Sequence, residues 1–308
     1  PFDYIIAHGL YSWVSKAVRT KLLEVIRSQL APNGLAFVSY NCLPGWQISK
    51  VVRELFLYQT RDVESLEQKV KVARQTLPKL IDAVPLGASA YGTLLAADLA
   101  ILAQTGDYYI AHDHLEVDND PCYFKDFVVE IEKAGLQYSC EAEFQIMGLG
   151  NYPAALKAIM RDTSDRIEAQ QLIDFAAMRK FRQSLITHAD TKVRKPGPGA
   201  MRNLFFAGNG SIGDQAGRFD SMPRTYRAEK RGDLTLCTPL GKAALCILTE
   251  QWPKRLSFEA LLQGAAERVE CRPDRRAAET LAELLYRGAL ENSFDVNTSP
   301  GNFVAEVS

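Results

Sequence analysis

Two loops hold the side chains best suited to chemistry. His8-Gly9-Leu10-Tyr11-Ser12-Trp13 follows the apolar run from Phe2 to Ala7, and Ser39-Tyr40-Asn41-Cys42-Leu43-Pro44-Gly45-Trp46 follows Leu35-Ala36-Phe37-Val38. Aromatic rings offer flat, cation-attracting faces, an amide offers donors and an acceptor, and an imidazole offers either. Such loops can wall a ligand pocket, although aromatics there also cap cores and Asn41 is an ordinary turn residue. A third group is His112-Asp113-His114. On an extended segment residues two apart share a face, so both imidazoles could reach one metal ion. No third ligand at a workable spacing is evident, although Glu116 is near, so ordinary hydrogen bonding is expected and no metal. A fourth group, Gly208-Asn-Gly210-Ser-Ile-Gly213, has the spacing of a phosphate-binding turn. That turn needs a helix to start at once. Asp214-Gln-Ala-Gly217 and then Pro223 follow instead, so a flexible loop is expected.

The elements that must position the first two loops are legible. Phe2 to Ala7 is a short β-rich run that stops at His8-Gly9. Val14, Val18, Leu22, Val25, Ile26 and Leu30 recur at helical spacing, Pro32-Asn33-Gly34 turns the chain, and Leu35 to Val38 forms a second buried run. Strand, helix and strand in about 40 residues make a βαβ unit and a parallel pair. Ligands of such sheets sit beyond the carboxyl ends of the strands, where the two loops lie.

Beyond Trp46 the pattern is helical through Gly106, a run of about 60 residues that is far longer than an ordinary connection. Inserted after a strand end, it would lie over the site as a lid or wall. Residues 107–145 return to a mixed pattern, with a helix around Phe124–Ile131 and an alternating strand from Leu136 to Phe144. Tyr152 to His188 reads as helical, its longest element presenting Ile167, Leu172, Phe175, Met178, Phe181 and Leu185. Lys195-Pro-Gly-Pro-Gly199 is the clearest break. Short strands follow at Leu204–Phe206, Arg224–Lys230 and Leu234–Cys237. Three helices then span Lys242–Glu250, Ser257–Val269 and Asp274–Gly288, with a turn-rich tail through Phe303-Val304. Three helices and a hairpin-like tail suggest a winged-helix module.

Composition narrows the partners. A net charge of −1 offers no general attraction to nucleic acid or to anionic membrane, and the clusters Arg179-Lys180-Arg182 and Arg224-Arg227-Lys230-Arg231 read as solvated faces, so nucleic acid is not expected. Six scattered cysteines (42, 122, 140, 237, 246 and 271) without a CxxC pair suit reduced thiols and a cytoplasmic setting. No apolar run reaches the roughly 18 residues of a membrane span, and no secretory leader is evident. The sequence opens at Pro1 directly into a strand, which suggests a piece of a longer chain.

FDYIIAHGLYSWV with LAPNGLAFVSYNCLPGW resembles the fourth and fifth strands of class I S-adenosylmethionine-dependent methyltransferases. More narrowly, it is similar to the branch with a methyltransferase regulatory domain, which includes bacterial protein-lysine methyltransferases. Tyr109-Ile-Ala-His-Asp-His-Leu-Glu116, Pro121-Cys-Tyr-Phe124, Gly135-Leu-Gln-Tyr138, Asp174-Phe175 and Arg179-Lys-Phe-Arg-Gln183 extend the likeness, which thins beyond about residue 200.

The resemblance implies an α/β plus α fold. Residues 1–46 with 107–145 would form the second half of a Rossmann-like methyltransferase sheet, and 47–106 a helical insertion over the active site. Residues 146–237 would form a helical/β regulatory middle domain, and 238–308 a winged-helix-like C-terminal domain. The implied cofactor is S-adenosylmethionine, with His8 and Gly9 beside its methionine part. Tyr11, Trp13, Tyr40, Asn41 and Trp46 would wall and position the acceptor, and His112 and His114 would line the substrate cleft. Methyl transfer needs the nucleophile, methyl carbon and leaving sulfur in line, and a lysine acceptor must arrive as the neutral amine. The expected acceptor is a lysine side chain of a protein. The glycine-rich motif and acidic ribose-binding residue of the family have no counterpart here and are expected before Pro1, which leaves the cofactor site incomplete and this chain inactive alone. The alternative is a non-catalytic regulatory or protein-interaction module with a winged-helix docking domain.

Overall fold

The structure, a computed structural model, describes every residue except 85–88, 148–151, 195–196, 214–218 and 302–308. It divides into two compact units, residues 1–142 with 153–191 and residues 143–152 with 192–308. The stretch expected as one middle domain, 146–237, is thereby shared between them.

The first unit is built on a four-stranded sheet. Strand β1 (Phe2–Ala7) leads through helix α1 (Lys16–Gln29) to strand β2 (Leu30–Asn41), and the two strands pair in parallel with Ala7 opposite Val38. Helices α2 (Trp46–Gln59), α3 (Leu66–Ala83) and α4 (Ala90–Gln104) follow. A single turn, α5 (Asp107–Tyr109), runs into a π-helical turn at Ile110–Leu115. Helix α6 (Phe124–Lys133), strand β3 (Leu136–Glu141), helices α7 (Ala154–Asp162) and α8 (Arg166–Ala177) and strand β4 (Phe181–His188) complete the unit. The strand order is β1-β2-β4-β3, with β4 antiparallel to both neighbours.

One apolar face of α1 and one of α6 close the core over the sheet, where Ile26, Val38, Phe124, Phe127, Ile131 and Ile186 are buried. A second core, with Val52, Phe56, Ala73, Leu95 and Leu99, joins α2, α3 and α4 to Ile110 and Leu115 of the π turn. Both are amphipathic packing at helical period, which is why the sequence showed them.

The helix expected to continue through Phe181 and Leu185 stops instead at α8. Met178 takes a left-handed conformation (φ 47°), and the chain then enters the middle of the sheet as β4. The physical reason lies in what β4 turns inward. Arg182, Ser184, Ile186, Thr187 and His188 are its buried positions, so four of the five are polar and the alternation that marks a strand is hidden.

The second unit packs β5 (Phe205–Ala207), β6 (Arg224–Tyr226), β7 (Leu234–Leu236), α9 (Pro239–Glu250), β8 (Leu256–Ser257), α10 (Phe258–Arg268), α11 (Arg275–Leu290) and β9 (Asp295–Asn297) around one core. Strand β5 sits between β8 and β9, and β6 pairs with β7. The glycine motif lies in this unit and is pinned rather than loose: Gly210 donates its N–H to the Tyr226 hydroxyl at 2.7 Å, and Ser211 bridges Arg227. A Cβ at Gly210 would fall 2.3 Å from the Tyr226 ring and one at Gly208 2.7 Å from its hydroxyl, so these two glycines serve close packing, whereas Gly213 has open space and φ +80°. Asp214–Gly217 and Phe303-Val304 lie outside the described residues.

Candidate active site

The sheet ends where the sequence placed the chemistry. A cavity of about 380 Å³ opens beyond the carboxyl ends of β1 and β2. Of the residues singled out from sequence, His8, Gly9, Trp13, Asn41, Trp46, His112 and His114 line it. Tyr11 does not. It is buried against Tyr40 and Phe127, with ring centroids 5.8 and 5.2 Å away, and the Arg19 guanidinium lies 5.2 Å from its ring. Burial raises its phenol pKa far above the usual value. Tyr11 and Trp13 begin and end one 3₁₀ turn, which sends one ring into the core and the other to the cavity. Tyr40 is core as well, its hydroxyl 3.1 Å from Ser184 Oγ.

Each loop is held by short polar contacts. Ser39 Oγ accepts the Gly9 N–H at 2.8 Å and meets His8 Nδ1 at 2.9 Å, tying the end of β1 to β2. Gly9 has φ +63° with open space around its Cα, a conformation that glycine adopts without steric cost. The Asn41 N–H donates to Ser12 Oγ at 2.8 Å, which joins the two loops. The Asn41 amide reaches Asn119 at 3.2 Å, and Asn119 in turn donates to the Asp113 carbonyl at 3.4 Å.

His112-Asp113-His114 is not extended. In the π turn residues two apart look in different directions, and the two imidazoles have separate neighbours. His112 packs between Trp13 (4.4 Å) and Tyr108 (6.0 Å), whereas His114 sits among Trp46, Phe56 and Tyr109 at 5.9–6.1 Å. No group of three or more His, Cys, Asp or Glu among the described residues is placed to hold a metal. Single π turns recur at functional sites. Here Arg53 of α2 secures it: its guanidinium donates to the carbonyls of His114, Glu116 and Val117 at 3.4, 2.7 and 3.0 Å, capping the turn's C-terminal carbonyls with positive charge.

The electrostatics follow from burial. His114 is 3% exposed, and its pKa is lowered to about 4 by burial, by the Arg53 and Lys180 cations, and against the opposing pull of Asp98. Its Nδ1 has no hydrogen-bond partner among the described residues. Burial raises both Tyr109 and Asp113, which share a hydrogen bond.

The structure adds Ser49, Asp98, Tyr109, Asp113, Lys180 and Phe181 to the cavity. Asp98 carried a usable signal, being the single acid on the otherwise apolar α4. Lys180 reaches the site because the Lys180 carbonyl accepts the Cys42 N–H at 2.8 Å and the Arg179 carbonyl accepts the Gly45 N–H at 3.1 Å. That approach requires glycine at 45. A Cβ there would stand 2.3 Å from the Met178 carbonyl oxygen and 2.5 Å from the Arg179 carbonyl. Gly45→Ala is therefore expected to cost about 1–3 kcal/mol by overpacking. Urea unfolding with tryptophan fluorescence measures it, and an unchanged midpoint would show that the two loops are not in close register.

Three comparisons bear on identity. The model of a predicted methyltransferase regulatory domain matches residues 106–188, from just before α5 to the end of β4. An uncharacterized protein of Rickettsia prowazekii is 35% identical over 194 residues, 63% of this chain and 35% of that protein. Another from Synechocystis is 24% identical over 186 residues, 60% of this chain and 37% of that one. Among solved structures, PKMT2 from Rickettsia typhi, determined also in complex with AdoHcy, aligns over 100% of this chain and 60% of its own, with a TM-score of 0.84 and 25% identity. The chain thus spans between about a third and six-tenths of the length of these relatives. By these likenesses the chain resembles a methyltransferase structure over its whole length and matches the model of a methyltransferase regulatory domain at residues 106–188.

Proposed function

We propose that the cavity is the acceptor side of an S-adenosylmethionine-dependent methyltransferase acting on lysine side chains of proteins. The observation that carries this reading is the convergence of Trp13, Asn41, Trp46, His112 and His114 on one cavity at the carboxyl ends of β1 and β2. The residues fit the cofactor's methionine end. His8 and Gly9 stand at the cavity wall, space is open beside Gly9, and the nearby aromatic faces favour a sulfonium cation. When bound, the cofactor supplies an electrophilic methyl group. The chain's own contribution is positioning and dryness: Trp13 and Trp46 wall the acceptor, and the Ser39 and Asn119 contacts fix the loops that carry His8 and Asn41. Ser49, Asp98, Ile101 and Leu102 of α2 and α4 close the cavity, which supports the helical insertion as a wall over the site. The three helices and small sheet of the second unit support a winged-helix-like docking module for a protein partner. The free cysteines agree with a reducing, cytoplasmic setting. No described helix is long and apolar enough to cross a membrane.

The test is calorimetric binding of S-adenosylmethionine and AdoHcy by the native protein, with transfer of labelled methyl groups to protein lysines. Trp13→Ala is expected to lower kcat/KM about 10²-fold, the scale of a misplaced reacting group. A native protein that binds neither compound ends the reading.

A further inference from the structure

Within the cavity one contact is not accounted for by acceptor walls. Asp98 of α4 is 6% exposed, and its carboxylate is held by Lys180 Nζ on one oxygen and by the Ser49 hydroxyl on the other. Lys180 Nζ also reaches Ser49 Oγ at 3.3 Å. An ammonium has three N–H donors, and Lys180 finds these two acceptors. A further acceptor on the wall of the same cavity is the buried Nδ1 of His114, which has no hydrogen-bond partner among the described residues and whose ring feels the charges of both Lys180 and Asp98. Its environment keeps the imidazole neutral, so one ring nitrogen is free to accept. Lys180 is the less constrained member of the group, its side chain 39% exposed, whereas Asp98 and Ser49 are fixed by the helices that carry them.

We propose that Asp98, Ser49 and His114 form a seat for a primary ammonium, and that Lys180 is a built-in occupant which an incoming lysine side chain displaces. The inference rests on the acceptor-cavity reading but is narrower. It names the group that receives the acceptor's charge and makes Lys180 a self-inhibitory stand-in. The exchange is close to even in charge, because one ammonium replaces another on the same buried carboxylate. A carboxylate left alone at that depth would be costly, so removing Lys180 creates a demand for an external cation.

The probe is n-butylammonium, titrated into the native protein without cofactor and followed by the fluorescence of the cavity tryptophans. Lys180→Met is expected to bind it at least tenfold more tightly than wild type. Adding Asp98→Asn to Lys180→Met abolishes the gain; this pair carries no unmatched charge, and circular dichroism checks that each variant folds. Lys180→Gln gives a second, polar replacement should the methionine variant not fold. Tetramethylammonium, which has no N–H, gains nothing in either Lys180 variant. Equal gains for tetramethylammonium would make the site a general aromatic cation pocket and overturn the seat. So would unchanged butylammonium affinity on loss of Lys180, or a gain that survives Asp98→Asn. Because no cofactor is present, a protein that seats butylammonium yet transfers no methyl group would defeat the enzyme reading alone. A protein that methylates lysine without the Asp98 dependence would defeat the seat alone.

Discussion

Arg182→Met is expected to cost the first unit about 3–5 kcal/mol in urea unfolding, because it leaves two buried carboxylates without their central cation. Arg182 is fully buried in β4. Its guanidinium donates to Asp174 through Nε and Nη2, both at 2.8 Å, and to Glu141 through Nη1 at 2.5 Å. It also lies 3.9 Å from the Phe124 ring centroid. The carboxylates belong to α8 and β3, so one side chain joins the middle strand to a helix and to the edge strand. Neither acid is bare: Glu141 also accepts from Tyr138, Ser184 and the Gln183 N–H, and Asp174 from Arg179 at 2.7 Å. Those bonds were set with Arg182 in place, and a thioether supplies no donor to either oxygen. Arg182→Lys keeps the charge but loses the planar fork, and an intermediate loss is expected. Adding Glu141→Gln to Arg182→Met should restore part of the stability by removing one stranded charge. A loss under about 1 kcal/mol for Arg182→Met would mean that water reaches both carboxylates and that the network is not dry.

The same residue explains why part of the fold was hidden in the sequence. Strand β1 was legible through its apolar, β-rich composition, although only Ala7 is buried there and Phe2, Tyr4 and Ile6 are exposed; β2 was legible through the run Leu35–Val38, and α1 because its face repeats at helical period. Strand β4 reads as helix because Arg182 and Ser184 occupy inward positions where aliphatic residues are expected, and their partners lie 8 to 144 residues away. No local pattern encodes such long-range neutralisation. The apolar spacing of Phe175, Met178, Phe181 and Leu185 was real but crossed a left-handed residue at Met178 that nothing nearby announces.

The site divides in the same way. The position of the two loops followed from the βαβ rule, and every candidate but Tyr11 and Tyr40 is found in the cavity. What stayed hidden was orientation. A 3₁₀ turn separates Tyr11 from Trp13, and a π turn separates His112 from His114; neither has a sequence period of its own. Lys180 lies just before β4 in a stretch whose pattern reads as helix, so its meeting with Asp98, 82 residues away, is not legible in the sequence.

His114 ties this geometry to pH. Its folded pKa, about 4, lies below the roughly 6.5 of an unfolded histidine. Between those values the unfolded chain binds a proton that the folded chain refuses, so stability falls as pH drops from about 6.5 to about 4. Above that window the group contributes no pH dependence, and below it the loss is complete. A gap of this size corresponds to on the order of 3 kcal/mol at about 1.4 kcal/mol per pH unit. The cause is specific: burial among Trp46, Phe56 and Tyr109, with Arg53 and Lys180 opposing a further positive charge and Asp98 only partly offsetting them. Urea unfolding at pH 7.5 and pH 4 should therefore show wild type losing on the order of 3 kcal/mol more than His114→Phe, whose ring fills the same space without titrating. An NMR titration of the imidazole gives the direct check. A midpoint near 6.5 would show that water enters the cavity freely, whereas a resonance unmoved until below about pH 5 would show that the imidazole's own surroundings are dry.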